Sequence, residues 1–278
     1  MGWLPLMLVA VAIVVTYARV PPHELYHVSG SGLDAGLGRA LVFLNWPVAV
    51  ATLPLIALAA DRLREQRLAV AAAVVAAVLC AFVAWPGVVD QADLDPKWMN
   101  ALPALGVVLG LGLAAAAGLF RTRARADALL VVVLVLLLVL TLPYIAADLG
   151  FFLDDVPALG SLFITGKVVV GEPAVHHGHH HGMDGALLVL AALATIPALK
   201  DCRSRRLGIA VAAYLGIELV YGLTVLVNDD WLEQIVKRGW TSVEVPNVIH
   251  PAVNFGWLWI LVAGGALAAW ICRRERLV

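Results

Sequence analysis

Eight histidines carry the densest chemistry in this chain. His23-Glu24-Leu25-Tyr26-His27 has the spacing H-E-x-x-H. On a helix, two histidines four residues apart share a face and bind zinc, while the glutamate beside them activates a water. Pro21 and Pro22 suit a first helical turn, and Gly30 and Gly32 end such a helix soon afterwards. A second segment, Gly171 to Gly185, holds His176, His177, His179, His180 and His181. Gly178 and Gly182 let several of its imidazoles turn toward one ion, with Asp184 or Glu172 as a harder oxygen ligand. His250 precedes Pro251 at an extended, helix-entering position, with Asn254 one turn below it, and is a candidate to complete the site.

Each feature also has a plainer reading. The H-E-x-x-H segment suits an interfacial helix end, the histidine run a solvated loop, and Asp184 a helix N-cap ahead of Gly185-Ala186-Leu187. Ligand type narrows the metal. The loops bearing histidine offer imidazole and carboxylate without cysteine, which favours zinc, leaves iron, nickel or copper(II) open, and disfavours a soft copper(I) relay. The segment from His23 to His27 resembles the zincin metallopeptidases over five residues. That resemblance implies His23 and His27 as ligands and Glu24 as general base, with the third ligand from elsewhere because no G-x-x-H follows. His23 and His27 together with His177, His180 and His181 also resemble the histidine boxes of membrane di-iron desaturases and hydroxylases. This second likeness implies a di-iron lipid oxidase or hydroxylase, although that family keeps its boxes on the cytoplasmic side and adds a further downstream box that is missing here.

The elements that must position these residues are membrane helices. Of 278 residues, 62% are hydrophobic and 14% charged, against roughly 45–50% apolar in soluble domains. Apolar runs near the ~20 residues needed to cross a bilayer recur at about 3–18, 40–60, 68–88, 100–120, 127–147, 186–200, 207–227 and 251–271. The expected fold is therefore all-α: a single polytopic transmembrane helical bundle over 1–278 with about eight helices. No basic n-region or small-residue cleavage site marks the first run as a removable signal, so it is expected to stay as a helix.

Basic residues cluster in alternate connections: Arg62, Arg64 and Arg67; Arg121, Arg123 and Arg125; Lys200, Arg203, Arg205 and Arg206; and Arg273, Arg274 and Arg276. The positive-inside rule then places both termini in the cytoplasm, and leaves outer loops at 19–39, 89–99, 148–185 and 228–250 that are rich in carboxylates and carry every histidine. Within 148–185, the apolar stretch around 161–170 is too short to span and is expected to lie at the interface or re-enter. Such a surface attracts cations and repels polyanions, so membrane lipids and a metal ion are the expected partners and nucleic acid is not. Oligomeric state is not legible. Cys80, Cys202 and Cys272 form no C-x-x-C pair and are expected to be packing residues.

One ionisable group falls deep in an apolar run. Glu218 is flanked at helical spacing by Tyr214 and Tyr221, and a carboxyl there marks either a functional site or a neutral group bonded to a tyrosine or a backbone carbonyl. Three functions follow from these features. The first is a membrane-embedded metal-dependent enzyme, a hydrolase at the extracytoplasmic boundary acting on a lipid-like or membrane-proximal substrate. The second is a divalent-cation or proton transporter with a histidine-rich outer vestibule and Glu218 in its path. The third is a non-catalytic membrane partner.

Overall fold

The computed structural model describes residues 32–89, 95–120, 157, 164–169, 172–175, 181–236, 239–246, 248 and 252–277. The apolar runs predicted at 3–18 and 127–147 lie outside them. The described chain is predominantly helical: α1 spans Gly32–Arg62, α2 Arg67–Ala81, α3 Ala101–Ala116, α4 His181–Thr195, α5 Arg205–Asp230 and α6 Phe255–Arg274. Four helical segments, Arg67–Ala84, Trp98–Ala116, Arg205–Asp230 and Phe255–Arg274, are long and apolar enough to cross a membrane. Apolar surroundings favour helices because every backbone polar group then finds its partner within the segment.

The stretch expected to lie at the interface or re-enter forms the first strand of a short hairpin. Strands β1, Ile164–Val169, and β2, Glu172–Val175, pair antiparallel, with Val169 opposite Glu172 and Ile164 opposite Val175. Its run of β-branched residues suits an extended backbone. Two helices reach further into the connections than hydropathy predicts. α1 begins at Gly32, so 32–39 is helix rather than loop, and α5 runs through Asp230 into a π-helical turn over Trp231–Val236. Hydropathy marks the apolar stretch, whereas the helix continues as long as its backbone bonds do.

Pro47 and Pro54 lie inside α1 without ending it. Pro54 has no N–H for the carbonyl of Val50, four residues earlier. The Tyr214 hydroxyl of α5 donates to that oxygen at 2.8 Å, so a neighbouring helix satisfies the group the proline orphaned. Pro103 sits in the first turn of α3, where no intrahelical bond is lost. Pro197 accompanies a change from α4 to a 3-10 turn over Ile196–Asp201.

Glycines set the closest approaches. A Cβ on Gly185 of α4 would meet the Gly222 carbonyl of α5 at 2.5 Å, and one on Gly216 would meet the Gly264 carbonyl of α6 at 2.6 Å. On the other side, a Cβ on Gly106 of α3 would meet the Cys80 backbone nitrogen of α2 at 2.6 Å. α1 lies between the two groups and touches α2, α3, α4 and α5. All three cysteines are free, with Cys80 and Cys272 buried.

Three of the basic connections, those after α1, α4 and α6, meet at one end of the bundle. Asp61, at the end of α1, accepts hydrogen bonds from the backbone nitrogens of Arg203 (2.5 Å) and Ser204 (3.2 Å). Arg62 pairs with Asp201 at 2.8 Å and also donates to the carbonyl of Ala117 after α3. Arg205 donates to Leu277 at 2.6 Å, and Lys200 lies 3.6 Å from Glu275, which ties the chain after α6 to the same end. At the other end, Asn228 donates to Pro246 and the Trp231 indole to Val243.

Candidate functional site

α5 presents several of the polar groups in the interior of the described bundle. Tyr214, Glu218 and Tyr221 follow i, i+4, i+7 spacing and so share one face of the helix. Glu218 is 4% exposed, and among the described residues neither of its carboxyl oxygens has a hydrogen-bond partner. The expected bond from a tyrosine to Glu218 is not formed: the Tyr214 O–H points to Val50, and Tyr221 instead bonds the Trp46 side chain of α1 and stacks on Trp257 of α6, 5.5 Å between ring centres. Tyr221 therefore joins three helices, a packing role that leaves the carboxyl of Glu218 to itself. Asn45 of α1, also 4% exposed, has an unpartnered amide nitrogen.

At the other end of this face, the first turn of α4 meets the last turn of α5. Asp184 lies inside α4, three residues past its start at His181, so it is not the N-cap that its place before Gly185 suggests. Desolvation, and then the neighbouring Asp229 carboxylate, hold Asp184 well above the usual carboxylate range. Gly182 makes the approach possible, since a Cβ there would fall 2.9 Å from Asp229 Oδ2. Asn254 is a structural cap: its side-chain oxygen accepts from the Trp257 backbone nitrogen at 2.9 Å, and α6 starts at Phe255, four residues beyond the apolar run's predicted start.

His23, Glu24, His27, His176, His177, His179, His180 and His250 lie outside the described residues, as does the side chain of His181, whose backbone opens α4. Among the described residues no group of three or more His, Cys, Asp or Glu side chains is arranged to hold a metal ion. Two features escaped the sequence. The Asp184–Asp229 approach depends on how two helices dock. The Tyr214–Val50 bond had half a signal, because Pro54 announces an orphaned carbonyl four residues back but not which side chain fills it.

These features define a mostly helical protein with apolar helices of membrane-spanning length and a buried, unpartnered carboxyl in one of them. Comparison with protein-family models, curated proteins and solved structures finds no match.

Proposed function

We propose that this chain is a multi-pass cell-membrane transporter for protons or divalent cations. About eight helices carry it, both termini are cytoplasmic, and the histidine-bearing segments form an outer vestibule that collects cations. The observation that carries this reading is Glu218: an ionisable group deep in an apolar helix is costly to keep, and membrane proteins that retain one commonly use it on an ion path. The acidic character of the predicted outer loops supports it by drawing cations to that face. Purified protein in liposomes, loaded with a pH dye or a zinc-sensitive dye and given an imposed potential, should move one of the two ions faster than protein-free liposomes. Rates no faster than those of protein-free liposomes for either ion would sink the transporter reading.

The metal-dependent enzyme is the second reading, and His23-Glu24-Leu25-Tyr26-His27 is what favours it. In it His23 and His27, with part of the run from His176 to His181 and His250, hold zinc, or iron or copper(II), and Glu24 is the base for a lipid-like or membrane-proximal substrate. Two iron ions on the same histidines would give the lipid-oxidising variant. Metal analysis separates these readings: loss of stoichiometric metal in both His27→Ala and a variant with 176–181 replaced by serine fits one shared catalytic centre, and loss from the second variant alone fits a collecting loop.

A further inference from the structure

We infer that Glu218 is a proton-binding group and that the ion this chain carries is the proton rather than a divalent metal, an inference that rests on the transporter reading. Glu218 sits at the midpoint of α5, 4% exposed, with both carboxyl oxygens unpartnered. An isolated carboxylate in such surroundings costs far more than the neutral acid, unless a cation or several donors face it. None does. α1 has no charged side chain between Arg39 and Asp61, α4 none between Asp184 and Lys200, α6 none between Phe255 and Arg273, and α5 itself none but Glu218 between Arg206 and Asp229.

The titratable neighbours on its own helix face are Tyr214 and Tyr221, whose hydroxyls are engaged with α1. A divalent metal needs several oxygen or nitrogen ligands, and one carboxyl beside engaged phenols does not supply them. A proton needs a single oxygen lone pair, which the neutral acid provides by carrying it as its O–H. In the transport step that O–H bond breaks, the proton passes to water on one side, and the carboxylate recovers a proton from water on the other, with no oxidation or reduction.

Two measurements on the full-length protein test this. In liposomes with an imposed potential, wild type should acidify the lumen, Glu218→Gln should reduce that flux at least tenfold, and Glu218→Asp should retain part of it. Infrared difference spectra between acid and alkaline pH should contain a protonated-carboxyl band that disappears in Glu218→Gln. Wild-type flux of zinc without any change in lumenal pH would keep the transporter and overturn the proton assignment, as would proton flux unchanged in a folded Glu218→Gln. No flux of either ion would overturn the transporter itself, while the infrared band still reports on Glu218. Should Glu218→Gln fail to fold, Glu218→Asp decides: a shifted carboxyl band with altered pH dependence of flux supports the assignment, and an unaltered profile refutes it.

Discussion

At the scale of single residues, the polar groups divide by whether a partner explains them. Asn254 is explained as the cap of α6, and Asn254→Ala should lower stability by about 1 kcal/mol in thermal melts, with no effect on ion flux. Tyr214 is explained by Pro54. Tyr214→Phe leaves the Val50 carbonyl buried without a donor, at a cost of about 1–3 kcal/mol. Pro54→Ala supplies an N–H to the same oxygen, so the loss from Tyr214→Phe should fall by half or more in that background, and equal losses in both would dissociate the tyrosine from the proline. Asp184 responds to pH. Its folded value lies above its unfolded one of about 3.9, so the folded state holds the extra proton. Stability is then greatest below the unfolded value and declines as pH rises through the raised folded value. Melting curves recorded with a chelator present should show that decline in wild type and a flatter profile in Asp184→Asn.

At the scale of elements, helix contacts depend on glycines whose missing Cβ admits a neighbouring backbone. Gly185→Ala would put its methyl 2.5 Å from the Gly222 carbonyl, where no flexible side chain can yield, so α4 and α5 must separate at about 1–3 kcal/mol. Gly265, one residue after the tightly packed Gly264, meets nothing within 4 Å. There alanine should be neutral or gain up to about 1 kcal/mol from its better helix propensity. Equal melting temperatures for the two variants would contradict the packing described here. Both glycines look alike in an apolar sequence, which is why hydropathy located the helices and not their contacts.

At the scale of the whole molecule, the Arg-rich turns gather at one end through Asp61, Arg62, Arg205 and Lys200. With that end in the cytoplasm, a thiol reagent applied to intact cells should modify Ser242→Cys and leave Arg206→Cys unlabelled until the membrane is opened, in a background free of native cysteines. The reverse pattern would invert the topology and put the histidine segments on the cytoplasmic side. Composition by itself determined that the chain is helical and apolar, because a long run of nonpolar side chains has few other ways to satisfy its backbone. The alternation of arginine predicted which turns share an end, and the lone carboxylate at position 218 stood out in its apolar run. Tertiary structure alone decided that Glu218 has no tyrosine partner, that Tyr214 serves a proline four residues beyond its acceptor, and that Asp184 faces Asp229. Those outcomes depend on the rotation and separation of neighbouring helices, which side-chain packing sets over distances no local sequence pattern records.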